Sequence, residues 1–248
     1  MKIRGKDASE RKGRTLEEGL KAGWPICMGY FPIGLALGVL AQKAGLRPWE
    51  IGLMSVLVFA GSSQFIAVSM IQGGAGLAAI VATTFMVNLR HFLMSSALAV
   101  HLRGTSRAFL TWFAYGITDE SFAVNTARFK DGEWGPWRAL TVNQSANAAW
   151  IASTVAGGFA GQFIPPGALG IDYALVAMFI CLVVYQLRGW IYAVTAVLSG
   201  GLALVFCLLL PGNFYIILGS LLGATAGLAL VRHGRGRRES GKEERPKR

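Results

Sequence analysis

Long apolar runs are the feature that most restricts how this chain can fold. A helix that crosses a bilayer needs about 20 mostly apolar residues, and the sequence contains eight runs of roughly this kind. They cover residues 22–42, 51–71, 77–102, 108–127, 139–163, 173–187, 189–210 and 213–231. The pattern predicts an all-α protein, a polytopic bundle of about eight transmembrane helices. Seven is an alternative, because the sixth run is short and only Arg188 and Gly189 separate it from the seventh.

The charge content excludes an ordinary soluble domain. Only 15% of the 248 residues are charged, and 53% are hydrophobic. A soluble domain is about 25% charged, so most of this chain has little water-facing surface. The sequence also lacks a Gly-rich phosphate loop, paired catalytic carboxylates in a soluble cleft, and a metal-binding His/Cys pattern. We therefore expect no enzyme activity and no cofactor, and no use of ATP by this chain.

The basic residues are concentrated at the two ends. Residues 1–21 hold seven of the 24 lysines and arginines, and residues 232–248 hold eight. Beside apolar spans, such tails favour the cytoplasmic side and anionic lipid over nucleic acid. We therefore predict a basic cytoplasmic tail over 1–21, a transmembrane transporter domain over 22–231 and a second basic cytoplasmic tail over 232–248, in the cytoplasmic (inner) membrane.

Two tails on one side require an even number of crossings, which eight spans satisfy. The connections 43–50 and 103–107 then place basic residues on the outer side, against the usual charge bias. The predicted orientation therefore agrees with the charges of the two tails and disagrees with the charges of these two connections.

Prolines and glycines interrupt several of the predicted spans. The first run contains Pro25 and Pro32, and proline removes a backbone donor and clashes with the preceding turn. This pattern predicts either a broken helix that lines a substrate site, as in many secondary transporters, or a simple kink. Two glycine series at four-residue spacing, 157/161 and 219/223/227, predict close helix packing, with a partner helix either in this chain or in another.

Three charged residues lie where a membrane helix is least tolerant of them. Arg90 is near the middle of the third run, and Asp119 and Glu120 are near the middle of the fourth. Arg90 precedes the loop 103–107 by roughly 20 Å of helix and Asp119 follows it by roughly 18 Å, so an antiparallel hairpin places them at similar depth. Adjacent helical residues point about 100° apart. We expect one carboxylate to pair with Arg90 and the other to face a cavity. Of the two, we favour Asp119 as the residue that points into the helix bundle.

Further polar side chains interrupt the apolar runs and extend the candidate site. Such groups either bind a solute and a proton or join helices by hydrogen bonds. The candidate substrate- or proton-binding residues are Arg90, Asp119, Glu120, Asn88, His91, Ser62, Ser63, Gln64, Asn143 and Gln144.

Several of these motifs together resemble one known family. The stretches Phe59–Phe65, Asn88–His91 and Thr118–Glu120, with Pro32–Gly34 and Asn143–Gln144, are similar in type and order to the AzlC/YgaZ family. The resemblance covers roughly residues 20–230. It implies a large subunit of a branched-chain amino acid exporter, a secondary transporter driven by the proton gradient. It also implies a small hydrophobic partner subunit of the AzlD/YgaH kind.

Two other functions fit the same polar centre. A channel-like subunit would line a pore with these residues. A structural membrane subunit would use Arg90, Asp119 and Glu120 only to fix its helices. Saturable flux that responds to a pH gradient distinguishes the carrier from both.

Overall fold

A computed structural model of the chain describes residues 3–132, 134–165 and 189–209. It also describes short pieces near the C-terminus, at residues 173, 176–177, 180, 184, 187, 219, 222–223 and 225–229. Side chains are described from residue 13 onward. Contacts within the chain define two units, one of residues 1–80 and 87–175 and one of residues 81–86 and 176–248.

All regular elements in the described part are helical, which confirms the predicted all-α membrane fold. The elements are α1 (Ile3–Lys43), α2 (Pro48–Leu57), α3 (Gly61–Gln72), α4 (Leu77–Ala99), α5 (Arg107–Tyr115), α6 (Asp119–Lys130), α7 (Pro136–Ala160), a 3-10 turn (Gly161–Phe163) and α8 (Trp190–Leu209). Three helices among the described residues are long and apolar enough to cross a membrane by themselves: Gly13–Lys43, Leu77–Ala99 and Trp190–Leu209. The number of spans stays a prediction, since the sixth and eighth runs lie largely outside the described residues.

Helix α1 is continuous, so of the two alternatives predicted for the first run the broken helix is wrong. It runs unbroken through Pro25 and Pro32. A proline removes only one backbone donor, and neighbouring helices allow membrane helices to tolerate it. Here the neighbour is α7, which lies against α1 at Gly34 and Gly38.

The breaks occur instead in the second and fourth predicted spans. The second consists of α2 and α3, separated at residues 58–60, and the fourth of α5 and α6, separated at residues 116–118. These helices have 9 to 12 residues each, or about 14 to 18 Å. None is long enough to cross a hydrocarbon core of about 30 Å, whereas each pair together is. The two discontinuities place helix N-termini inside predicted spans.

Glycines bring α1 and α7 into backbone contact. A Cβ atom at Gly38 would lie 2.6 Å from the backbone nitrogen of Gly158, and one at Gly157 would meet the backbone of Leu35. Gly161 faces Val39 and Gln42 in the same way. The predicted close packing at residues 157 and 161 is thus confirmed, and its partner helix is α1.

The C-terminal glycine series packs within the second unit. Gly219, Gly223 and Gly227 are buried. They face Ala203, Ser199 and Thr195 of α8, in that order. This confirms the predicted packing face and shows that the partner helix belongs to the same chain.

Candidate functional site

A charged centre lies where the N-termini of α3 and α6 approach Arg90 of α4. The Arg90 guanidinium is 2.8 Å from the Asp119 carboxylate, between Nη1 and Oδ2. Its other terminal nitrogen, Nη2, donates to Ser62 Oγ at 2.6 Å. The expected pairing of Arg90 with a carboxylate of the fourth span is therefore observed, and the carboxylate is that of Asp119. Arg90 joins the first turns of the two half-helices.

The N-terminus of α6 is capped by side chains of its own first turn. Thr118 is the N-cap: its hydroxyl oxygen accepts from the backbone nitrogen of Ser121 at 3.3 Å, and its own backbone nitrogen donates to Ser121 Oγ at 2.9 Å. Asp119 and Glu120 occupy the first turn, where the helix dipole favours negative charge. The acidic pair is thus also a helix-start signal.

The start of α3 has no such cap. Its N-cap residue is Ala60, and no side chain caps the first backbone donors. Ser62 and Ser63 follow in the first turn and are buried. The partial positive charge of the α3 N-terminus therefore lies close to the Arg90 guanidinium, which contacts Ser62 in the first turn.

Tyr30 of α1 completes the centre, although it is not among the candidate residues predicted from the sequence. Its hydroxyl donates to Glu120 Oε2 at 2.6 Å and lies 2.8 Å from Thr118 Oγ1. Asp119 and Glu120 therefore have different partners, as the 100° offset between adjacent residues requires. A tyrosine in a Pro-rich apolar run carries no pattern that separates this role from ordinary packing.

The polar residues of α4 near Arg90 are joined to α3 and to each other. Ser63 Oγ donates to Asn88 Oδ1 at 2.6 Å. The ring of His91 lies with Nδ1 3.2 Å from the carbonyl oxygen of Asn88, one turn earlier on the same helix. Ser62, Ser63, Asn88 and Arg90 thus form one continuous junction between α3 and α4, with His91 at its edge.

Gln64 lies in a separate, fully buried group. Its amide nitrogen donates to Ser55 Oγ at 3.0 Å, and its amide oxygen accepts from Trp150 Nε1 at 2.7 Å. The Ser55 and Thr154 hydroxyls are 2.9 Å apart. Because both ends of the amide are satisfied, these contacts support a role in joining α2, α3 and α7.

Asn143 and Gln144 satisfy the backbone at the end of α5. Asn143 Nδ2 donates to the carbonyl oxygen of Phe113 at 3.1 Å, and Gln144 Nε2 donates to that of Trp112 at 3.1 Å. The break after α5 frees carbonyls that lipid cannot satisfy. The structure thus places both residues at the discontinuity, and their contacts support a structural role.

Replacement of Asn143 by leucine is expected to lower the free energy of unfolding by about 2 kcal/mol. The change leaves the Phe113 carbonyl and the Asn125 amide, which donates to Asn143 Oδ1 at 2.9 Å, without their buried partner. Denaturation in SDS measures the loss. Ala148→Leu, at an exposed position of the same helix, is the control. Equal stability of the two variants would contradict the capping role.

The comparisons with known proteins match the part of the chain that contains this site. The family model described as "AzlC protein" matches residues 25–164, which include every side chain of the charged centre. The inner membrane protein YgaZ of Escherichia coli is 30% identical over 206 residues, covering 79% of this chain and 84% of the relative. The branched-chain amino acid transport protein AzlC of Bacillus subtilis is 28% identical, covering 78% and 76%.

An uncharacterized membrane protein of Archaeoglobus fulgidus is also similar, with 32% identity over 86% of this chain and 94% of its own length. No solved structure matches the chain.

Proposed function

The chain belongs to the AzlC family, and from that premise we propose that it is a secondary transporter subunit that exports branched-chain or related amino acids. The Bacillus subtilis relative is named for branched-chain amino acid transport. The observation that carries the proposal is the Arg90–Asp119 pair between two half-helix N-termini. The chain acts as a carrier and catalyses no covalent chemistry.

This arrangement suits a zwitterion. An amino acid needs a cationic group for its carboxylate and an anionic group for its ammonium, a few ångströms apart. Arg90 and the uncapped start of α3 favour the carboxylate. Asp119 and Glu120, at the start of α6, favour the ammonium. Substrate would enter between Arg90 and Asp119, so that one ion pair is exchanged for two.

An aromatic wall adjoins the polar centre and supports an apolar substrate side chain. The ring centroid of Phe59 is 6.4 Å from that of Tyr30 and 6.4 Å from that of Tyr115. Phe59 lies in the break between α2 and α3, next to the turn that carries Ser62. A branched aliphatic group placed against Phe59 would leave the two charged ends of the substrate at the polar centre.

The same carboxylates are suited to proton coupling. In the proposed cycle, Asp119 or Glu120 holds either the substrate ammonium or a proton, so that one is released as the other binds. The small AzlD/YgaH-like partner subunit, the cytoplasmic location of both termini and the inner-membrane setting complete the proposal. The basic tails support that orientation.

Substitution Asp119→Asn is expected to reduce leucine or valine export from proteoliposomes at least about tenfold, or ~1.4 kcal/mol. The neutral amide can neither balance Arg90 nor exchange a proton. Asp131→Asn is the matched control, because Asp131 is an exposed acid just beyond the same helix. Saturable, pH-dependent flux by the wild type with unaltered flux by the Asp119 variant would rule out the carboxylate role. Ohmic current in place of saturable flux would overturn the carrier.

A further inference from the structure

We propose that Tyr30 is a positioning residue that aims the Glu120 carboxylate at the substrate ammonium. The inference rests on the proposed function, because it assigns Glu120 a ligand within that site. It adds a contribution from α1, a helix that carries none of the charged residues of the centre.

The contact itself is short and directed. The Tyr30 hydroxyl donates to Glu120 Oε2 at 2.6 Å, in the range of hydrogen bonds to an ionised oxygen. Asp119 is already paired with Arg90. Among the described residues Glu120 forms no ion pair, so the tyrosine hydroxyl is the group that orients its carboxylate.

Tyr30 is itself held rigidly. Its side chain is 8% exposed, and its ring packs edge-on against Trp150, with centroids 5.2 Å apart. The Trp150 indole donates to the buried amide of Gln64. The hydroxyl is therefore fixed by a chain of contacts from α1 through α7 to α3, and it does not depend on Glu120 for its position.

Glu120, by contrast, needs an external anchor. The residue is exposed, and a glutamate side chain loses considerable rotamer freedom when it is fixed. A rigid donor that meets the carboxylate before substrate arrives lowers this cost at the moment of binding. Removal of the hydroxyl should therefore weaken substrate binding more than it slows translocation.

The expected result is a rise in KM of about tenfold for Tyr30→Phe, the scale of one hydrogen bond to a charged group, with little change in maximal flux. Phenylalanine keeps the ring contacts with Trp150 and Phe59. Tyr192→Phe, which removes an exposed tyrosine hydroxyl in α8, is the control and should leave KM unchanged.

A double-mutant cycle separates positioning from a general structural effect. If Tyr30 acts through Glu120, then Tyr30→Phe should add nothing to the KM of Glu120→Gln. A second rise of about tenfold in that background would overturn the inference. Thermal stability in detergent is measured for each variant, so that a change in KM can be distinguished from a loss of folding.

A second variant tests the same contact without changing Tyr30. Glu120→Asp shortens the side chain by one methylene and withdraws the carboxylate from the hydroxyl, so it should reproduce the rise in KM. A wild-type KM would contradict the inference while leaving the proposed function intact. If the wild-type protein fails to transport leucine or valine at all, the proposed function fails, and the inference falls with it.

Discussion

Replacement of Arg90 by alanine is expected to reduce amino acid transport on the order of 100-fold, because it truncates one partner of a charge pair and leaves the other partner uncompensated. The change removes the cation proposed to hold the substrate carboxylate. It also leaves Asp119 without its partner at 2.8 Å and Ser62 without its donor at 2.6 Å. Both charged side chains are about one-third exposed (31% and 38%), so a folded but inactive protein is the expected product. Uptake into proteoliposomes, normalised to reconstituted protein, measures the loss.

A paired variant separates a functional Arg90 from a structural one. In Arg90→Gln combined with Asp119→Asn, neither side chain is charged, so no unpaired charge remains to destabilise the helices. We expect thermal stability to recover toward that of the wild type and transport to remain absent. Recovery of transport together with stability would show that the ion pair only fixes the helices, and would favour a structural subunit.

Substitution Gly38→Ala is expected to lower the free energy of unfolding by about 3 kcal/mol, the upper part of the usual overpacking range. The new Cβ would lie against the Thr154 carbonyl and 2.6 Å from the Gly158 nitrogen. Both are backbone atoms of α7, so no side chain can rotate away. For a chain of this size the loss corresponds to a fall in melting temperature of about 10 °C.

The matched control is Gly29→Ala in the same helix. A Cβ at Gly29 meets nothing within 4 Å, and alanine favours helix over glycine by about 1 kcal/mol. This variant should be neutral or slightly more stable in the same melting experiment. If both variants melted together, helix propensity rather than close packing would govern α1, and the interlocking of α1 with α7 would be refuted.

The charge pair could be predicted because it depends on simple geometry. Arg90 and Asp119 are nearly the same number of residues from one connecting loop, and helix rise converts that count into depth. The apolar runs and the glycine spacings were informative for the same reason, since each follows from one regular dimension of a helix. They needed no knowledge of which side chains lie opposite.

The helix breaks could not be predicted from proline, because tertiary packing overrides it. Pro25 and Pro32 lie within a continuous α1, while residues 58–60 and 116–118 contain no proline. One signal was available at the second break. Thr118 followed by two acidic residues is a typical helix start, yet here it lies inside an apolar run, where the same residues also fit the pattern of charges within a membrane span.

The roles of the buried amides depended on partners distant in sequence. Asn143 and Gln144 meet carbonyls of α5 some 30 residues away, and Gln64 meets Trp150 across 86 residues. A sequence shows that these amides need partners, but it does not show whether the partner is a substrate or the backbone. The same limit applies to Tyr30, whose hydroxyl reaches Glu120 from another helix.

If the chain is the proposed carrier, the glycine contacts between α1 and α7 restrict how access to its site can alternate. Where backbones touch, one helix cannot shift along the other by part of a turn, because the next residues carry Cβ atoms that would collide. The two helices therefore move together as one piece. In the proposed transport cycle, the short helices α3 and α6 are then the candidates for opening and closing, because their first turns are joined only by side-chain contacts to Arg90. Exchange of one ion pair for two at that junction would release them from each other, so substrate arrival and the change of access would be a single event.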